Sequence, residues 1–333
     1  MKKFNLIKQS GGITLATVII LILSLAARVF LYQLPASVSC PADMPLGNLL
    51  DSFAVSPTGT FALNIILTLI NAIILDSIIV RYSICTVRTF LPISLYFIFT
   101  YTILSADNPL SFALFQLALI LASLHAIDAF RRSYQFQNVF ISAFFLGLLP
   151  LIFSSAIFLL LLLPTTLFLY HRTVREAAVA LAGVLTPWLL CASIWWVAGY
   201  EWNYCFVCLG RQLYDSFAPS ASFKLIAALP LTTKILAALF VLLYIISIFI
   251  ILRNFNESKS RLKKTQTHFL WITLFGLLPL LFAPGIIVTN CTLAVSGTVI
   301  ITAFFSRHKG LVPLLVFSVL VLLALAVNLP LLA

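Results

Sequence analysis

Charge is what this chain lacks most. Only 9% of its 333 residues are charged, and nine of them are acidic. A soluble domain carries about 25% charged residues. That shortfall, set beside 62% hydrophobic residues, excludes an ordinary water-soluble globule and makes lipid the solvent. The middles of the apolar runs are nearly free of acids. A pump or proton-coupled carrier needs ionisable groups spread through the membrane depth, so this scarcity argues against both. Familiar enzyme signatures are missing too. The chain has no phosphate-cradling glycine loop, no HExxH and no GxSxG elbow. Its four His residues are scattered, so no metal cluster is read from them, and no pattern names a cofactor. No internal repeat or low-complexity linker divides it.

Long apolar runs fill the space that charge leaves. A spanning helix uses about 20 mostly apolar residues, and this composition suffices for about eleven of them. The expected fold is an all-α, polytopic transmembrane helical bundle, a single integral membrane domain over 1–333. The spans fall at 12–33, 59–80, 89–105 and 110–128, then within 137–170, which is either a helical hairpin or a single interrupted span and is counted as two with the break at Ser154 and Ser155. They continue at 177–199, about 235–253, the FLWITLFGLLPLLF run, 287–306 and 311–329. The start, MKKFNLIKQSGG, has the charge of a signal peptide. Its apolar run is longer than the 7–15 residues of a cleaved core, so it reads as a retained first span.

The net charge of +11 fits this threading better than it fits nucleic acid. With the amino end inside and the carboxyl end outside, sixteen of the twenty Lys and Arg residues fall on inner segments, as the positive-inside pattern requires. The expected location is the bacterial inner (cytoplasmic) membrane, with membrane lipids as partners and no nucleic acid.

Two outer segments remain, about 34–58 and 200–233. The first holds Asp43 and Asp51. A carboxylate beside a membrane cavity acts as a general base or holds a divalent cation, and it serves equally as a solvated loop residue. Arg28, near the outer end of the first span, either snorkels to the interface or faces an outer cavity and holds an anion such as a lipid phosphate. Tyr200, Trp202, Tyr204 and Tyr214 fit an aromatic belt on a helix lying along the membrane surface. Arg211 and Lys224 in that segment are candidate phosphate ligands or interfacial anchors. Cys205 and Cys208 form a CxxC pair on the same side as Cys40. An oxidising compartment permits a disulfide there, and free thiols are the alternative. Cys85, Cys191 and Cys291 read as small apolar fillers. At the inner ends, Asp76 has Arg81 nearby, and Asp128 has Arg131 and Arg132 nearby with His125 one turn before it. Ion pairing or interfacial placement accounts for these.

Several stretches together resemble an uncharacterised family of polytopic inner-membrane proteins of Bacteroidota. They are Met44-Pro45-Leu46, LINAIILDSIIVRY, RTFLPISLYFIF, Asn108-Pro109 and FQNVFISAFFLGLLPLIFSSAIFLLLLL, followed by HRTVRE, Gly183 and Pro187. Here Gly47 stands where that family has an aromatic residue, and the family pattern also has an amide near Asp76. A fainter architectural likeness extends to membrane glycosyltransferases that use polyprenyl-phosphate sugars. It implies a catalytic acid, Asp43 or Asp51, in the loop after the first span, with Arg28, Arg211 or Lys224 on the donor phosphate. The paired acids that such enzymes carry directly after that span are absent between Gln33 and Cys40. Two other expectations stand beside an enzyme of envelope glycan or lipid-carrier pathways. One is a non-catalytic subunit or scaffold of a membrane complex. The other is a carrier for a lipid or hydrophobic solute.

Overall fold

Lipid offers the backbone no hydrogen-bond partners, so each N–H and C=O must be satisfied within its own segment, which helices achieve. Every element among the described residues is accordingly helical. The structure is a computed structural model. It describes residues 10–28, 44–52, 57–82, 84, 89–101, 110–129, 135–169, 173–215, 226–227, 229–255, 260–282, 285–307 and 311–328.

In chain order the helices are α1 (Ser10–Ala26), α2 (Pro45–Ser52), α3 (Pro57–Arg81), α4 (Leu91–Thr100), α5 (Leu110–Asp128) and α6 (Phe136–Ile152). A 3-10 segment, Ser154–Leu161, leads into α7 (Leu162–Leu169). Then come α8 (Val174–Val197), α9 (Tyr204–Asp215), α10 (Leu231–Arg253) and α11 (Ser260–Leu277). After a 3-10 turn at Leu278–Leu281 follow α12 (Gly285–Arg307) and α13 (Leu311–Asn328). Six helices are long and apolar enough to cross a membrane, namely α3, α5, α8, α10, α12 and α13. Four shorter apolar stretches stand beside them, at α1, α4, α6 and the Ser154–Leu169 run.

The 137–170 region is a hairpin. Pro150 lies inside α6, the helix ends at Ile152, and Phe153 is extended at φ −131, ψ 123. The break therefore falls one residue before Ser154. Leu163 and Leu167 of α7 then pack against Ala129, Val139, Ala143 and Ala180. Val139 belongs to the first turns of α6, so the chain has doubled back to the end where α6 began. There Thr173 caps α8 in a reciprocal box with Glu176, each satisfying the other's backbone N–H. The buried Glu176 carboxylate also accepts from the Gln135 N–H at 3.4 Å, which ties the starts of α6 and α8 together.

The same two helices meet through small residues. A Cβ on Gly183 would lie 2.7 Å from the Phe140 carbonyl oxygen and 2.8 Å from the Ala143 Cβ. One on Gly147 would lie 2.8 Å from the Val184 carbonyl oxygen. Lipid tails are as apolar as Leu, so helices in a bilayer associate through such close backbone approach and through polar contacts.

Polar content decides which helix is central. In the most apolar stretch of α12, 94% of residues are buried, against 28% in α10. α12 carries Thr289, Asn290, Thr292, Ser296, Thr298 and Thr302, all buried. The hydroxyls of Thr292, Ser296, Thr298 and Thr302 are returned to the helix itself, as in Ser296 to the Thr292 carbonyl and Thr298 to the Ala294 carbonyl. α10 is apolar on all sides and suits lipid. α12 sits among α4, α5, α10 and α11, and Gly276 of α11 lets Thr292 approach, since a Cβ there would meet its hydroxyl oxygen at 2.4 Å.

Interhelical hydrogen bonds complete the interior. Tyr96 donates to the Gln116 side-chain oxygen at 2.7 Å. The Asn71 amide donates to the Ala113 carbonyl at 3.0 Å, and Asn290 to the Thr100 carbonyl at 3.4 Å. Tyr244 donates to Thr273, whose hydroxyl meets Ser296 at 2.9 Å. At the ends of α1 and α13, Asn328 donates to Ser24 at 3.4 Å, so these two helices finish on the same side of the bundle.

Candidate functional site at the end that carries α2 and α9

Two short helices, α2 and α9, pack on α6. α2 begins at Pro45 and also packs on α5, and α9 also packs on α8. Leu46 of α2 joins a cluster with Leu151 of α6, Trp188 and Cys191 of α8, and Cys205 of α9. Leu151 and Cys191 are near the ends of their helices, so α2 and α9 cover the same face. The two segments expected to be outer loops thus meet at one end, and each contains a helix. The sequence reading allowed a surface helix in the second segment and treated the first as loop. Leu46, Leu49 and Leu50, spaced for one face of a short helix, are the signal it passed over.

α9 is an amphipathic helix within the 200–233 segment, packed on α8. Trp188 of α8 stacks on Phe206 with centroids 5.0 Å apart. Trp195, Tyr200 and Tyr204 form a second aromatic group, with Tyr200 and Tyr204 at 4.7 Å. Trp196, Trp202 and Tyr214 are exposed, as a belt at a lipid–water boundary requires.

Beside α9 lies an apolar recess of about 620 Å³ lined by Ile157, Phe158, Leu213, Tyr214 and Phe282. Its walls come from the 3-10 segment after the hairpin break, from α9, and from the turn that precedes α12. Phe158 and Phe282 pack ring against ring at 5.2 Å and together form part of its wall. Arg211 is exposed and lies three residues before Tyr214 on α9, which makes the two neighbours on the helix surface. A guanidinium one turn from the wall of an apolar recess suits an amphiphile with an anionic head.

The other residues singled out in the sequence are placed as follows. Asp51 is on α2 and half-buried, and its carboxylate holds the first turn of α5: the Ser111 N–H donates to Oδ1 at 3.1 Å and the Ser111 hydroxyl to Oδ2 at 3.3 Å. Arg28 is buried just beyond the end of α1. α1 packs on α4 and α13, whereas α2 and α9 pack on α5, α6 and α8, so Arg28 and Arg211 belong to different flanks of the bundle. Asp43, Lys224 and Cys40 lie outside the described residues. Among the described residues no group of three or more His, Cys, Asp or Glu side chains converges as a metal site would need.

Two pairings differ from the sequence reading. Arg81 pairs with Asp128 at 3.2 Å instead of with Asp76, and Tyr82 donates to the same Asp128 oxygen at 2.6 Å. The C-terminal ends of α3 and α5 are joined this way. Cys191, read as a filler, meets a partner: the Cys205 thiol donates to its sulfur at 3.5 Å. Contacts between residues far apart in the chain leave no local signal. Comparison of the chain with protein-family models, with curated proteins and with solved structures finds no match.

Proposed function

We propose that this is a multi-pass protein of the bacterial inner membrane that handles a polyprenyl-phosphate-linked or similar lipid substrate of the cell-envelope glycan or lipid-carrier pathways. The observation that carries the reading is the apolar recess beside α9, with Arg211 one helical turn before its wall residue Tyr214. The acyl or prenyl chain occupies the recess against the packed rings of Phe158 and Phe282. The phosphate meets Arg211, or Lys224 in the same outer segment, and Arg28, on the other flank of the bundle, takes no part. Asp43 or Asp51 serves as the base toward an acceptor, in the manner of a glycosyltransferase. The threading has about eleven spans, the five shorter ones at α1, α4, α6, the Ser154–Leu169 run and α11, with the amino end inside and the carboxyl end outside. The charge distribution and the resemblance to the Bacteroidota family support it.

Binding and topology test this together. Native mass spectrometry of the detergent-purified protein should show a polyprenyl phosphate bound in preference to the polyprenol of equal length. Arg211→Ala should erase that preference, and equal binding of both lipids by the unaltered protein would remove the reading. In whole cells, with the six native cysteines replaced by Ser, an impermeant maleimide should label Arg211→Cys and spare Ser258→Cys.

A second reading, the non-catalytic scaffold, has its own support in Asp51. Both oxygens of that carboxylate are engaged by Ser111, which is a structural task. Under it, Asp43→Asn and Asp51→Asn leave envelope function intact and a protein partner copurifies at fixed stoichiometry.

A further inference from the structure

Three cysteines lie where α9 rests on α8. Cys191 of α8 and Cys205 of α9 are both buried, at 6% and 0% exposure, with their sulfurs 3.5 Å apart. They sit in one apolar cluster with Leu151 and Trp188. Cys208 comes one helical turn after Cys205 and is half-buried, so the two share a face of α9. All three are free thiols.

We propose that Cys191 and Cys205 form an oxidisable pair that closes to a disulfide by exchange with a disulfide-bearing oxidant on the outer side of the membrane, through Cys208 as the first thiol attacked. The proposal rests on the orientation given above, which puts α9 in an oxidising compartment. Burial and spacing assign the roles. The Cys205 thiol is held protonated by its hydrogen bond to Cys191 and by burial, both of which push it well above the usual thiol range. A protonated, enclosed thiol does not attack an external disulfide. Cys208 does, because it reaches the surface.

The electrons balance in three exchanges. The Cys208 thiolate attacks the oxidant R–S–S–R, forming Cys208–S–S–R and releasing RS⁻. Cys205 then gives its proton to the released RS⁻ and attacks the Cys208 sulfur, expelling the second RS⁻. Last, the Cys191 thiolate attacks the Cys205 sulfur and restores the Cys208 thiolate. Overall two protein thiols are oxidised, one external disulfide is reduced to two thiols, and the protons of Cys191 and Cys205 pass to the released RS⁻ groups. The product bond fastens α9 to α8. Since Leu213 and Tyr214 of α9 line the apolar recess, the oxidised protein holds one wall of that recess in place.

The test treats the purified full-length protein with oxidised glutathione, blocks remaining thiols with N-ethylmaleimide, and maps peptides by mass spectrometry. The expected product is a Cys191–Cys205 crosslink with Cys208 alkylated. Cys208→Ser should form the same crosslink several-fold more slowly. Cys191→Ser should stop at Cys205–Cys208 or at a glutathione adduct on Cys208. A Cys205–Cys208 bond as the end product in the unaltered protein, or alkylated Cys191 after full glutathione treatment, overturns the proposal. Acid-quenched cells supply the second arm, in which the crosslink should be present and should open with dithiothreitol. A crosslink that forms in detergent and is missing from cells overturns the outer-side oxidant and the orientation with it. No crosslink in either setting overturns the pairing alone.

Discussion

Asp51 and Ser111 stand sixty positions apart, yet the carboxylate of one caps the helix that the other begins. Both oxygens take part, one receiving the backbone N–H and one the hydroxyl. The first N–H groups of a helix have no partner within it, and a carboxylate also suits the positive end of the helix dipole.

The cap makes Asp51 separable from a base. Asn accepts a hydrogen bond nearly as well at such a position, so Asp51→Asn should preserve detergent-solution stability. Asp51→Leu should lower it by about 0.5–2 kcal/mol. Thermal unfolding of both variants checks this. If Asp51→Asn folds normally and abolishes envelope function, the residue acts as more than a cap.

Close approach of α6 and α8 predicts an asymmetry between glycines. Gly183→Ala drives a methyl against the Phe140 carbonyl and Ala143, and overpacking of this kind costs about 1–3 kcal/mol. Gly210→Ala meets nothing within 4 Å and should be neutral or raise helix stability by up to about 1 kcal/mol. Equal melting temperatures for the two variants would contradict the packing described here.

Glu176 joins α8 to α6 through one carboxylate. Glu176→Ala removes the partner of the Thr173 and Gln135 N–H groups at once. Leaving buried donors unpaired costs about 1–3 kcal/mol each. Reduced folded yield and faster proteolysis near Thr173 are expected, with Glu176→Gln intermediate.

At the opposite end of α5, the Arg81–Asp128 pair should matter little. Arg81 is 53% exposed, and pairs in contact with water contribute about 0.2–1 kcal/mol. Arg81→Ala should shift the melting point only slightly. Asp128→Ala should cost more, because the Tyr82 hydroxyl loses its acceptor too. Melting curves for the two single variants and their double variant give the coupling.

The hairpin break near Ser154 was legible because Pro150 and a pair of serines interrupt a run too long for one span. The surface helix α9 was legible from its clustered aromatic residues. The centrality of α12 is also written locally, in its repeated Thr and Ser. Neutral hydroxyls settle the matter in lipid: they return to their own backbone or cross to a neighbour, and both uses place them away from the tails.

Composition and order alone determined the long apolar runs and the helical backbone into which they fold. Each follows from transfer energies that belong to single residues or to windows of about 20 residues. Tertiary structure decided the partners. Asp51 finds Ser111, Arg81 finds Asp128, Cys191 finds Cys205, and Gly183 finds Phe140. These choices depend on which helix faces stack and how closely, and that geometry is set by side-chain shape across the whole bundle.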